Sequence, residues 1–375
     1  MAESLDYTSR IFSDRGPTKY FHGRAQILCD FENLLERSKQ EKGGRTFLVQ
    51  GAPRAGKTAL HDQCVKLAKG KQWHVANIKT GALWDKGKML RSLGYGKMVG
   101  IGSVSLSLLE AFTAEVSMTK PKRSTTSLNI VEKRKRKPLL LILDEAQRLS
   151  TASDLSKSHF DEAGDLLQAI HNGELNKPVI LLTAGLGMLK GLFGDLGISI
   201  FKGGCFIELG ALGKESECAV IKDWLIKEGG AQGDLDVWVD AIAQNTHGWP
   251  QHISAFGDAA AKQIQKDHGR MTSARLKIVH KMGKDQCEAY YQQRSETITR
   301  RERHSLGRLI KNSTSENGID REDIEAALSK KYDSNRAKDL FKRALERGIL
   351  HSKHGAYSIP IPSMRTWLIS NYARE

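Results

Sequence analysis

The segment Gly51-Ala52-Pro53-Arg54-Ala55-Gly56-Lys57-Thr58 has the residue types and spacing of a phosphate-binding loop. Glycines at both ends let the backbone fold tightly, so that successive N–H groups converge on one anion. A helix beginning at Lys57 presents its positive end to the same anion. In this pattern Lys57 reaches the β- and γ-phosphates of a nucleotide, the Thr58 hydroxyl binds Mg²⁺, and Ala59 completes the contact stretch. Further along, the apolar run Leu139 to Leu143 ends in Asp144-Glu145. A carboxylate in the place of Asp144 holds Mg²⁺ through its waters, and Glu145 beside it can polarise an attacking water as general base. Thr183 follows the apolar run Pro178 to Leu182 and is placed to orient that water. Lys57, Glu145 and Thr183 are therefore the expected catalytic groups.

These residues need a scaffold that puts several strand ends side by side. Thr46 to Gln50 is a short apolar run of the buried parallel-strand type, and Lys57 to Ala68 continues as a helix after the loop. Trp73 to Ile78, Leu139 to Leu143, Pro178 to Leu182 and Phe206 to Leu209 read as four further strands alternating with helical stretches. That alternation predicts an α/β fold with a parallel sheet and crossover helices. Ile27, Leu28, Phe31, Leu34 and Leu35 have helical spacing ahead of the sheet. Within residues 100–137, alternation around Val104 to Met118 predicts a hairpin insertion, followed by a basic loop ending Lys133-Arg134-Lys135-Arg136-Lys137.

From Gly213 to Lys284 the pattern is helical, broken at Gly248-Trp249-Pro250. Residues 294–375 have a different logic. One helix is marked by Ser305, Leu306, Leu309 and Ile310, a second is capped by Asp320, and a third is opened by Ser334 or Asn335. Gly348 stops the third, and a hairpin turns at His354-Gly355. Three helices and a hairpin predict a winged helix. The third helix carries Arg336, Lys338, Lys342, Arg343 and Arg347, the hairpin adds Lys353 and His354, and Arg294, Arg300, Arg301 and Arg303 form a further basic cluster just before the module. On a winged helix such groups would meet double-stranded DNA, binding its phosphates while the helix enters the major groove.

Composition agrees with a polyanionic partner. Among 375 residues, 58 Lys and Arg face 43 Asp and Glu, a net charge of +15. No apolar run approaches a membrane span, and the polar, acidic start Met1 to Asp6 is not a secretory signal, so the expected location is the cytoplasm with no membrane partner. Five cysteines (Cys29, Cys64, Cys205, Cys218 and Cys287) lack the spacing of a zinc site or a disulfide framework.

With these elements placed, the chain resembles the AAA+ ATPases. Within them it is similar to the initiator and STAND-like group, which includes origin-recognition ATPases and transposition ATPases with an Asp-Glu-Ala-Gln motif. The resemblance rests on Phe21-His22-Gly23-Arg24, Gly51 to Thr58, Leu141 to Gln147, Leu182-Thr183 and Gly248-Trp249-Pro250, and covers about residues 20 to 265. It implies ATP with Mg²⁺ as cofactors and places Gly23 and Arg24 on the adenine side. The implied organisation is an N-terminal arm (1–19), an AAA+ α/β domain (20–212), a helical lid (213–284) and a winged helix (294–375). The chain departs from the family where arginines are expected. Asp195 to Lys202 contains no arginine finger, only Lys202, and Gln251-His252 follow Pro250 where a lid arginine belongs. Arginine-finger stabilisation is worth about 10³–10⁵ in rate, so the expectation is a slowly hydrolysing or partner-stimulated ATPase. It would couple nucleotide state to DNA binding or assembly, with room for a homo-oligomer and an unspecified protein partner. The alternative is a STAND-type signalling or defence ATPase whose C-terminal module binds protein.

Overall fold

A computed structural model describes residues 9–10, 20–41, 45–93, 137–151, 156–175, 177–198, 205–313, 318–353 and 355–373. The hairpin and basic loop expected within 100–137, apart from Lys137, and the finger-like Lys202 lie outside these residues.

Two short strands, β1 (Ser9–Arg10) and β2 (Tyr20–Phe21), pair antiparallel and lead into α1 (Ala25–Gln40). The α/β alternation then runs β3 (Thr46–Gly51), α2 (Lys57–Gly70), β4 (His74–Ile78), α3 (Lys86–Ser92) and β5 (Leu139–Leu143). It continues with α4 (Arg148–Thr151), α5 (Lys157–Asn172), β6 (Val179–Gly185), α6 (Leu189–Asp195) and β7 (Cys205–Leu209). The five strands form one parallel sheet in the order β4-β5-β6-β3-β7. Their apolar runs are continuous because both faces are covered. Phe47, Val49, Leu140, Ile142, Ile180 and Leu182 enter one core, while Leu48, Leu139, Leu141, Leu143, Val179 and Leu181 enter the other. The parallel direction of the strands puts the C-terminal ends of β3 and β5, which carry the phosphate loop and the Asp-Glu pair, on the same edge with β6 between them.

The lid comprises α7 (Lys214–Asp223), continued by a π-turn at Trp224–Glu228, then α8 (Asp236–Thr246), α9 (Pro250–Lys266) and α10 (Ser273–Ser295). Gly248-Trp249-Pro250 is its joint to the sheet. Gly248 has a φ of 70°, and a Cβ there would lie 2.3 Å from the Leu212 carbonyl oxygen. The Leu212 N–H donates to the Gly248 carbonyl at 2.7 Å, and buried Glu217 accepts from the Gly248 N–H at 2.5 Å and from the Thr246 hydroxyl. Pro250 then opens α9, where its missing N–H leaves nothing unpaired.

Helix α10 runs without a break through Lys284 to Ser295, so the lid does not end where the composition shifts. The C-terminal module follows as α11 (Arg300–Asn312), α12 (Arg321–Ser329), α13 (Ser334–Glu346), the antiparallel hairpin β8 (His351–Lys353) and β9 (Ala356–Ser358), and α14 (Pro362–Tyr372). This is a winged helix with one further helix that the sequence pattern did not predict. Helix α13 is capped by Asp333, which accepts from the Arg336 N–H at 3.0 Å, in place of the expected Ser334 or Asn335. Tyr291 on α10 stands 5.6 Å from Trp367 on α14, and one continuous apolar cluster joins a face of the sheet, the lid and the winged helix. Among the described residues no helix is long and apolar enough to cross a membrane.

Candidate nucleotide site

The loop between β3 and α2 has the conformation its sequence predicts. Gly56 takes a φ of 93° and Arg54 one of 60°, left-handed turns that fold the loop tightly, and the Ala55 N–H closes it onto the Ala52 carbonyl at 3.2 Å. Lys57 is buried, and its Nζ donates to the carbonyls of Gly51 and Ala52 at 2.9 Å each. Burial lowers its pKa to about 8, opposed by the charges of Glu145 and Asp144 and helped by Arg294. Gly51, Ala52, Pro53 and Ala55 pack into the loop's interior. The Thr58 side chain is exposed at the start of α2, and buried Ala59 follows it.

At the end of β5, Asp144 and Glu145 are both exposed. Asp144 Oδ1 accepts the Glu145 N–H at 2.9 Å, and Glu145 is held at a φ of 55°. Its Oε2 accepts from Gln147 Nε2 at 2.5 Å, while Gln147 Oε1 accepts the Leu186 N–H at 3.2 Å. Gln147 therefore ties the carboxylate to the loop after β6. Left-handed non-glycine residues cost about 1–3 kcal/mol and concentrate at functional sites. Of the six among the described residues, Arg24, Arg54 and Glu145 ring this one.

Thr183 is not at a strand end, because β6 continues to Gly185. Its hydroxyl, fully buried, donates to the Leu143 carbonyl at 2.9 Å and so bridges two strands. Gln147 is the polar side chain that reaches Glu145. On the opposite flank of the loop, a slit of about 30 Å³ is lined by Phe21, His22, Arg24, Ala59, Leu209 and Pro250. Gly23 faces the lid: with a φ of 74°, a Cβ would lie 2.5 Å from Ser216 Oγ. Arg24 donates to the Gly210 carbonyl at 2.5 Å, which draws its guanidinium toward the lid joint. The slit has room for only a few waters, so a purine base would have to part it.

Above the loop lies a cavity of about 620 Å³ bounded by Pro53, Arg54, Lys57, Thr58, Glu145 and Gln147 on one side. Its far wall is Arg294 of α10 with Glu346 and Arg347 from the end of α13. No local pattern in the sequence marks this wall, where Arg294 reads as part of a basic cluster with Arg300, Arg301 and Arg303 and Arg347 as part of the basic third helix. Arg303 instead donates to the Tyr372 hydroxyl at 2.9 Å. The lid residues flagged beside Pro250 do not enter the cavity. Gln251 is buried, and His252 bonds Tyr291 through its Nε2 at 2.7 Å and the Thr246 carbonyl through its Nδ1 at 3.3 Å.

The expected DNA-contacting side chains divide. Arg343 donates to buried Glu302 at 3.0 Å and to Asp339 at 2.8 Å, and Arg336 lies 3.7 Å from Glu302. These two hold α13 to α11. Lys338 and Lys342 are exposed and line a groove of about 1010 Å³ between α13, the hairpin and the α6–β7 edge of the sheet. The side chain of Lys353, and His354, lie outside the described residues. His351 closes the groove's floor, its Nε2 sharing a hydrogen bond with Glu208 of β7 at 2.9 Å.

The chain matches no family model and no curated protein. It is similar to solved structures of the ORC2 protein of Aeropyrum pernix. For the ADP form the TM-score is 0.54 at 12% identity, covering 94% of this chain and 95% of that one. For the ADPNP–ADP complexes it is 0.53 at 13%, covering 96% and 95%. A Walker-type ATPase of Pyrococcus abyssi aligns with a TM-score of 0.49 at 14% identity over 90% and 94%. At these identities the two ORC2 likenesses establish the fold alone: a parallel α/β sheet followed by a helical segment and a C-terminal winged helix.

Proposed function

We propose that this chain is an ATP-binding, slowly hydrolysing switch that couples its nucleotide state to DNA binding through the winged helix. The observation that carries the reading is that the winged helix ends on the phosphate loop itself. A Cβ at Gly348 would lie 2.4 Å from Pro53 Cδ, and Arg347 lines the cavity above Lys57. The tightly turned loop Gly51 to Thr58 and the start of α2 fit a nucleotide's phosphates. Lys57 would exchange its two carbonyl partners for phosphate oxygens. ATP is supported by the similar Aeropyrum pernix ORC2 structures, which are ADPNP–ADP complexes and an ADP form.

Among the described residues no group of three or more His, Cys, Asp or Glu could hold a metal by itself. Mg²⁺ needs only one or two protein ligands when phosphates and waters supply the rest, and exposed Thr58 and Asp144 fit that role. The bound ion would neutralise charge on the phosphates. Glu145 would take a proton from the attacking water, with Gln147 fixing the carboxylate's orientation. Gly23 and Arg24 would shape the base side through the lid joint. Lys338 and Lys342 would contact DNA phosphates, with Lys353 beside them on the wing; Arg336 and Arg343 serve the helix's own packing first. Homo-oligomerisation is compatible with this reading.

DNA binding measured with and without ATP across a salt series tests it. A basic winged helix gives affinity that falls steeply with salt and changes with nucleotide. Negligible binding at low salt in every nucleotide state would sink the reading.

A further inference from the structure

The cavity over the phosphate loop is crowded with positive charge. Arg54, Lys57, Arg148, Arg294 and Arg347 line it, and among the described residues the carboxylates on its walls are Glu145 and Glu346. Two of these cations come from outside the sheet domain, Arg294 from the last turn of α10 and Arg347 from the end of α13. Among the described residues neither guanidinium makes a hydrogen bond or an ion pair. Arg294 is half-buried, and burial lowers its pKa, with the charges of Arg347 and Arg54 adding to that and those of Tyr290 and Glu145 opposing it.

Other residues make the contacts that hold α10 and the winged helix against the phosphate loop. Tyr290 donates its hydroxyl to the Pro53 carbonyl at 3.3 Å, and the Arg54 guanidinium lies 5.2 Å from the centre of the Tyr290 ring. Gly348 touches Pro53, and His351 bonds Glu208. The last turns of α10 and the winged helix are thus seated by contacts that do not use Arg294 or Arg347, and the five cations on the cavity wall outnumber its two carboxylates. Such an arrangement is unfavourable until a concentrated negative charge arrives. Guanidinium also has the planar fork that matches phosphate oxygens.

We propose that Arg294 and Arg347 are ligands, from the same chain, of the nucleotide's terminal phosphate, and that this phosphate clamps the winged helix onto the nucleotide domain. The inference rests on the nucleotide reading of the loop and adds a direction to it. With the γ-phosphate present, α13 stays docked and Lys338 and Lys342 face the groove against the sheet domain. Loss of that phosphate leaves the two arginines unmatched, so the winged helix is released and its basic helix becomes available to DNA.

The test is displacement of a fluorescent nucleotide by ATPγS and by ADP from the full-length protein. Wild type is compared with Arg294→Ala, Arg347→Ala, Arg294→Lys and Lys57→Ala. Each alanine variant should weaken ATPγS binding by about 10- to 100-fold and ADP binding far less. Arg294→Lys, which keeps charge and stem, should fall between. In parallel, ATPγS should lower the affinity of wild type for duplex DNA relative to ADP, and the arginine variants should lose that difference. Equal ATPγS-to-ADP preference in wild type and both alanine variants would overturn the proposal, as would an equal loss of both nucleotides. Failure of the underlying nucleotide reading looks different: Lys57→Ala would then bind like wild type.

Discussion

Asp144 and Glu145 leave β5 side by side but are held differently. Asp144 accepts the next residue's N–H, whereas Glu145 is turned into the left-handed region and gripped by Gln147. Replacing Glu145 with Gln keeps the shape and removes the base. ATP binding should therefore remain within a few-fold of wild type while turnover drops by about 10²–10⁴, measured as phosphate release under single-turnover conditions. Unchanged turnover would remove Glu145 from the chemistry. Arg343 makes the opposite case: a residue whose type pointed to DNA is committed to buried Glu302. Arg343→Ala should lower unfolding stability by about 1–3 kcal/mol, because Glu302 loses its closest cationic partner. Lys342→Ala should leave stability within about 0.5 kcal/mol and weaken DNA binding instead. Denaturant melts and DNA titrations on the two variants separate the roles. The residue types of Arg343 and Lys342 are nearly interchangeable to a reader of sequence. What divides them is a carboxylate on another helix, and no local pattern encodes it.

At the scale of elements, the sequence was legible wherever one element carried its own signal. The phosphate loop is bounded by an apolar run and a helix start, β5 by a Lys-Pro before it and Asp-Glu after it, and α13 by its amphipathic face. The pattern failed where neighbours decide. Ser334, Asn335 and Asp333 are all good caps, and only the register of α13 selects Asp333. Thr183 looked terminal because the strand's last residues, Ala184 and Gly185, carry little strand propensity; pairing with β3 carries β6 through both of them. His252 illustrates an element-level role, since it joins α9 to α10 and lies against Ser363 of α14. Burial lowers its pKa from 6.5 to about 4, against a weaker opposing pull from the Thr246 carbonyl. His61 on α2 is lowered to about 4 as well, again chiefly by burial. Between pH 6.5 and 4 the unfolded chain binds these protons and the folded chain does not. Stability from both groups is therefore complete above pH 6.5 and lost as pH falls, by roughly 3 kcal/mol each at most. Thermal melts from pH 7 to pH 4.5 should show the decline, and His252→Gln should flatten it. A variant with the wild-type slope would show that His252 does not contribute.

The whole molecule is organised by contacts far apart in sequence. Tyr290 and Pro53 are 237 residues apart, yet they meet where the last turns of α10 reach the loop under the cavity. The positions where the resemblance expects arginines carry Gln251 and His252 or lie outside the described residues, while Arg294 and Arg347 line the cavity from the other side. Gly348 is the narrowest point of that closure. It ends α13 with a φ of 64°, and any side chain there would meet both Pro53 and, at 3.3 Å, Arg294 Nη2. Gly348→Val therefore attacks docking twice, through the left-handed backbone and through the clash with Pro53, whose ring cannot swing aside. The cost of about 1–3 kcal/mol falls on the interface more than on either domain, since the hydrophobic face of α13 is untouched. The variant should stay folded, with a helical signal like that of wild type. Its radius of gyration by small-angle scattering should increase in the presence of ATPγS, where wild type remains compact. ATPγS affinity should fall together with that expansion, and duplex DNA affinity should rise. A variant that expands without any change in nucleotide or DNA binding would show that docking and ligand state are independent, and the molecule would not be a switch of this kind.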